Sequence, residues 1–459
     1  MASIVQQDAD GGEPAPSGSM EIGATTFQRP TSVRYAVLAV TTLTSILLYL
    51  DRICLSQIAE SATFQQDLGV DKQAIGWIIS AFFFAYAIAQ VPAGWLSDRF
   101  GARGMMAFYV ALWSLFTGLG GFTVGFVSLL VTRLVMGLAQ AGAYPTSGGL
   151  LGRWIPFAQR GKANSIVALG GRIGMALTPL LTAYLMAWVQ WRATLVLYGL
   201  AGIVVAGLFW WIFRERPEQH PLVNRAECVL IESGQPPSVP VPHDRARRAP
   251  LGAMLRDRSL WCLSIAMFCT NIGWAFLATW LPTYLKDVKH LEATVGARMA
   301  TLSLLGGIVG MVLGGYLADY AVRVLPLRWA RSVPIAASRF LAVIAYVVAL
   351  QFESVWIATA AFAMVSFATD LGVAATWSYA QDVGGSHVGS VLGWANMWGN
   401  IGAAMLAVVF PLLIVEGERE PNWDAAFILC AVGFLVAAIA SLGIDASRRI
   451  QCEAEPANS

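Results

Sequence analysis

Twelve apolar segments, each about long enough to cross a bilayer, constrain this chain more than any other feature. A helix needs about 20 mostly apolar residues to span the hydrocarbon layer. Backbone polar groups in lipid must be satisfied within the segment, so runs of this length read as helices. We number them α1 to α12: 33–58, 73–97, 104–123, 126–150, 163–187, 193–213, 259–284, 296–319, 331–350, 355–379, 389–413 and 424–444. A soluble helical protein would leave these spans unexplained. Hydrophobic residues make up 57% of the chain and charged residues 13%, whereas soluble chains are nearer half and a quarter. The balance argues against a soluble enzyme, a nucleic-acid binder and a disordered scaffold. A net charge of +2 gives no basic partner surface. Four histidines and six scattered cysteines without a CxxC pair argue against a metal or redox site, so no cofactor is expected.

The polar stretches divide the chain. Residues 1–29 read as a disordered cytoplasmic tail, 30–213 and 259–444 as two six-helix bundles, 214–258 as a cytoplasmic linker and 445–459 as a second cytoplasmic tail. No apolar signal-peptide core precedes α1. Orientation follows from counting. With both termini inside, 20 of the 30 Lys and Arg fall in the tails and inner loops, Arg153, Arg160, Lys162 and Arg331 among them. Six fall outside: Lys72, Arg192, Lys286, Lys289, Arg298 and Arg419. This is the positive-inside bias. The outer side carries acid instead, at Glu416, Glu418 and Glu420.

The halves echo each other. Gly94-Trp95-Leu96-Ser97-Asp98-Arg99 through Gly101 to Arg103 follows α2, and Gly315 through Leu317 and Asp319 to Arg323 follows α8. Gly171-Arg172-Ile173-Gly174 on α5 matches Gly399-Asn400-Ile401-Gly402 on α11. The fold expected is therefore all-α integral membrane, with two pseudo-symmetric six-helix bundles around a central cavity. Secondary transporters are built this way, with the substrate near the midplane. Gly94 would let α2 and α11 approach closely. Asp98 can pair with Arg99, Arg103 or a neighbouring helix N-terminus and so latch one conformation. Gly94, Asp98, Arg99, Arg103, Asp319 and Arg323 form the candidate latch; the plainer reading is an interfacial charge cluster.

These motifs resemble the major facilitator superfamily over about residues 30–445. The resemblance extends to its anion:cation symporter branch of sugar-acid and organic-anion carriers. Tyr49-Leu50-Asp51-Arg52, the run Ser80 to Pro92, Trp154-Ile155-Pro156 with Arg160 to Ala163, and Arg216 to Pro221 carry it. That branch usually has an Arg in α4 and, seven residues on, a Glu tied to proton coupling. Here Arg133 is followed by Gln140, which hydrogen-bonds but does not titrate. The resemblance implies import of a small organic anion, such as a hexuronate or aldonate, with protons as coupling ion. It also implies a monomer in a bacterial-type inner membrane. Gln140 keeps open a uniporter or anion exchanger, and a non-transporting membrane sensor is the distant alternative.

Mid-span charges cost about 2.5–3.5 kcal/mol each on insertion scales and mark functional candidates. They are Asp51, Arg52, Arg133, Arg172, Arg339 and Asp370. Arg339 reads as snorkelling inward. The other three arginines face two carboxylates, which leaves about one positive charge for a carboxylate substrate. Substrate-binding candidates are Arg52, Arg133 and Arg172, with Tyr49, Tyr86, Gln90, Gln140, Asn396, Asn400 and Trp377. Asp51, with an Arg partner, leads as proton carrier; Asp370, without an evident partner, is held in reserve. Gly306, Gly310 and Gly314 read as a packing ridge on α8.

Overall fold

A computed structural model describes residues 29–59, 61–233, 251–281, 284–285, 288–414 and 423–450. Outside these lie the expected tails apart from Arg29 and 445–450, the central stretch of the linker, Lys286, Arg419 and the three outer glutamates.

The apolar runs become α1 Val33–Ile58, α2 Lys72–Phe100, α3 Ala102–Leu119 and α4, in two segments, Phe126–Gln140 and Ala143–Trp154. Then come α5 Arg160–Trp188, α6 Trp191–Ile212, α7 Arg258–Thr279, α8 Ala293–Val324 and α9 Leu327–Gln351. Helix α10 is again double, Val355–Leu371 and Val373–Val383, before α11 Val388–Ile414 and α12 Trp423–Leu442. Among the described residues eleven stretches meet the length and hydropathy of a span, and α11, at 27 residues, is the remaining long helix. The protein is a multi-pass integral membrane protein.

Small residues set the packing, because lipid gives apolar side chains no reason to leave it and close backbone contact has to hold helices together. The α8 ridge behaves as its spacing predicts. Gly306, Gly310 and Gly314 lie against the backbone of Ala363, Phe367 and Leu371 on α10, one turn apart on both helices. The α5 and α11 echo is structural too: Gly174 abuts Ile46 on α1, and Gly402 abuts Phe268 on α7.

Glutamates close two other helix ends. Glu227, from the linker helix Arg225–Glu232, is fully buried, accepts from the α1 amide of Arg34 at 3.2 Å and pairs with its guanidinium at 2.9 Å. Glu215 accepts from the first amides of α3, Ala102 at 3.2 Å and Arg103 at 3.0 Å, and pairs with Arg153. A carboxylate at a helix N-terminus supplies acceptors for orphan amides and complements the dipole.

The two doubled helices break at equivalent places. In α4 the break falls at Ala141–Gly142, in α10 at Gly372. A Cβ on Gly142 would overlap the Tyr109 ring. The α10 break frees carbonyls, and Arg339 answers them, donating to Thr369 at 2.8 Å and Ala368 at 3.4 Å. Arg339 therefore does not snorkel; it is 2% exposed, and the carbonyls at the break hold it in the interior.

Candidate functional site

Arg52 is the centre of the site. Its guanidinium lies over three rings, with centroids at 4.4 Å for Tyr86, 5.0 Å for Tyr49 and 5.3 Å for Phe82. Its Nε donates to Gln140 Oε1 at 3.2 Å, and Gln140 Nε2 donates to the Leu48 carbonyl at 3.2 Å. Its Nη2 is buried with no partner. Among the described residues no carboxylate pairs with it. Cation–π contacts are worth about 0.5–2 kcal/mol each and do not neutralise a charge. A guanidinium edge left free in such a cage has the chemistry to receive an anion.

Beside this cage stand Tyr144 and Arg172. Gly171 fits against the Tyr49 and Tyr144 rings, which brings Arg172 to the same wall. Tyr144 meets Trp377 of α10 edge-on at 5.0 Å, a contact from one bundle to the other. Arg172 crosses the same seam: Nη2 reaches Asp370 Oδ1 at 2.8 Å, and the guanidinium lies 5.3 Å from the Trp274 ring of α7. Asp370 thus has a partner that its own stretch of sequence does not name.

Other expected residues fall elsewhere. Asp51 is fully buried inside the first bundle and accepts from Trp113 Nε1 at 3.0 Å, with no ion pair to Arg52. Arg133 is buried beside it, its Nη1 against the Asp51 carbonyl at 3.4 Å and Met136 Sδ at 3.2 Å. Gln90 is buried where α2 meets Gly393 of α11, and both its amide atoms lack partners. Asn400 donates to the Asn396 carbonyl at 2.8 Å, within its own helix.

The latch residues sit at one end of the molecule. Asp98 accepts from Gly389 N at 2.9 Å, Ser390 N at 2.7 Å and Ser390 Oγ at 2.7 Å. Of the partners open to it, Asp98 takes the α11 N-terminus. Arg99 lies over Trp95 and Phe100, and Arg103 donates to the Trp210 carbonyl. Gly94 lies directly on the Gly389 carbonyl. The second copy repeats the device: Asp319 accepts from Gly161 N at 2.8 Å and Lys162 N at 3.2 Å, at the start of α5. Arg323 is exposed.

Beside the latch lies a cluster that the sequence does not announce. Asp382 holds Arg160 of the first bundle at 3.0 Å and Arg331 of the second at 2.8 Å. Asn164 and Gln381 exchange amide hydrogen bonds at 3.0 and 3.1 Å. Among the described residues, the interbundle hydrogen bonds run from the latch to the Arg172–Asp370 pair. The signals in the sequence are weak: Phe82 lies inside the run Ser80 to Pro92, but nothing local tells that Asp382 faces Arg160, 222 residues away.

Two six-helix halves, broken helices and ionisable groups on their seam are the architecture of a secondary membrane transporter. The chain belongs to the Major Facilitator Superfamily, whose pattern matches residues 41–407. It is 30% identical over 400 residues to the probable galactarate/D-glucarate transporter GudP of Bacillus subtilis, covering 84% of this chain and 87% of that protein. It is 31% identical over 316 residues to the D-galactonate transporter of Escherichia coli, covering 67% and 72%. The crystal structure of the E. coli fucose:proton symporter FucP superposes with a TM-score of 0.65 at 15% identity, over 89% of this chain and 98% of that one.

Proposed function

We propose that this protein imports a sugar-acid anion by alternating access, in symport with protons, as a monomer in a bacterial inner membrane with both termini in the cytoplasm. One observation carries the reading: a guanidinium in an aromatic cage beside the bundle seam has a free donor and no carboxylate partner. A substrate carboxylate would supply that partner, and the rings would lie against the apolar face of a sugar chain. Relatives named for galactarate, glucarate and galactonate fit an acid of this kind. With both termini inside, the contacts at the latch end would shut the bundles together on the cytoplasmic side.

The second reading, uniport or exchange, rests on the neutrality of Gln140, the acceptor that holds Arg52. Uptake of radiolabelled sugar acids into proteoliposomes, with and without an inward proton gradient, separates the two. Symport requires accumulation driven by the gradient. Uptake that only equilibrates, whatever the gradient, leaves uniport or exchange. No uptake of any sugar acid removes the substrate class.

A further inference from the structure

The two broken helices place their key acceptors at the same offset. Gln140 is two residues before Gly142 at the α4 break, and Asp370 is two residues before Gly372 at the α10 break. Each holds one guanidinium of the first bundle. Gln140 Oε1 takes Arg52 Nε at 3.2 Å, and Asp370 Oδ1 takes Arg172 Nη2 at 2.8 Å. The geometry is paired and the charge is not. Arg52 is held by a neutral amide and keeps its charge for a ligand, whereas Arg172 is masked by a carboxylate. Both arginines are half-buried and lie near Tyr49, and Arg172 stands where the bundles meet, while Arg133 and Arg339 are enclosed.

We infer that Arg172 and Asp370 form a proton-gated second carboxylate subsite, and that the substrate is a sugar acid with acidic groups at both ends. A proton from the open side binds the Asp370 carboxylate, whose Oδ2 is buried without a partner. The acid then resembles Gln140, a neutral group that no longer competes for the guanidinium. The Arg172–Asp370 ion pair is given up, and one between Arg172 and the second substrate carboxylate forms. Arg52 holds the first carboxylate throughout. When substrate leaves, Asp370 loses its proton and the pair across the seam re-forms.

The groups around Asp370 are few. Arg172 faces it from α5 and Arg339 from α9. On α10 itself Ser366 lies one turn away, and α8 offers Gly307, which sits against both side chains. The ionisable residues of α8 lie toward its two ends, at Arg298, Tyr316, Asp319, Tyr320 and Arg323. Helix α7 has one charged residue, Arg258 at its start, and two thiols, Cys262 and Cys269. No second carboxylate shares the site among the described residues, so this subsite takes up one proton.

This inference rests on the sugar-acid reading and deepens it. The test is equilibrium binding to the purified full chain in detergent, with matched pairs of acids on one carbon skeleton: D-glucarate with D-gluconate, and galactarate with D-galactonate. Both carboxylates stay ionised between about pH 6 and pH 8. Wild-type protein should bind one dicarboxylate more tightly as pH falls, by up to ~10-fold per unit where the proton is taken up. Its monocarboxylate partner should show little change. Asp370→Asn, of the same shape, should bind the dicarboxylate tightly at every pH. Arg172→Gln should bind the two members of the pair equally. Dicarboxylate affinity independent of pH in the wild type overturns the inference, and that measurement needs no variant. So does pH dependence that persists in Asp370→Asn. If no acid of any pair binds, the sugar-acid reading itself falls.

Discussion

Asp98→Asn tests the latch with a single change of charge. The wild-type carboxylate accepts three hydrogen bonds at 2.7–2.9 Å from the start of α11. Asparagine keeps one oxygen and turns an NH2 toward the amides, so at least one charge-assisted bond is lost and the rest weaken. Bonds to a charged group are worth about 1.5–3 kcal/mol each. The lost charge at a helix N-terminus adds about 0.3–1 kcal/mol. The state closed at this end should therefore lose about 3 kcal/mol, which multiplies the open-to-closed ratio by ~100-fold. Spin labels at Phe100→Cys and Val324→Cys, exposed at this end on opposite bundles, read the opening after the native thiols are removed. A longer distance should gain population in the variant, and substrate affinity in the cavity should hold within a few-fold. A distance distribution identical to wild type would refute the latch and leave Asp98 an ordinary interfacial charge.

Arg52→Gln should weaken sugar-acid binding by ~10- to 150-fold, the loss of about 1.5–3 kcal/mol for one charged contact, in a titration of the detergent-purified protein. Arg52→Lys should rescue little, because an ammonium lacks the planar fork; full rescue would remove the bidentate argument. Glu227→Ala should lower thermal stability in detergent by about 3–5 kcal/mol, since it strands Arg34 and uncaps α1, and an unchanged melting temperature would show that the linker helix does not secure α1. A cysteine at Ser238 should resist impermeant thiol reagents in intact cells, after controls for native thiols; ready labelling would invert the topology.

Much of this protein is legible along the chain. The spans come from hydropathy alone, and their bounds shift by only a few residues, mostly where helices run on past the apolar run. The α8 ridge, the Gly94 contact and the repeat of the Asp98 motif at Asp319 were visible because each depends on a helical period or a copied segment. The partners of the charges were not. Asp98 had three partners open to it, and only the fold selects the α11 amides. Asp51 and Arg52 are neighbours in sequence, yet on a helix successive side chains point about 100° apart. One therefore enters the bundle interior toward Trp113 and the other meets the aromatic cage.

The sequence by itself determined that the chain lies in a membrane, that it has two related halves and that arginines exceed carboxylates within the spans. Those are properties of composition, period and repetition, which survive without coordinates. Tertiary structure decided what each arginine meets. Arg172 is matched by Asp370 from 198 residues away, Arg339 is consumed by carbonyls at a helix break, and Arg52 is held by a neutral amide. Charge can be counted along a chain, but whether a charge is compensated depends on distances of about 3–4 Å, and only packing sets those.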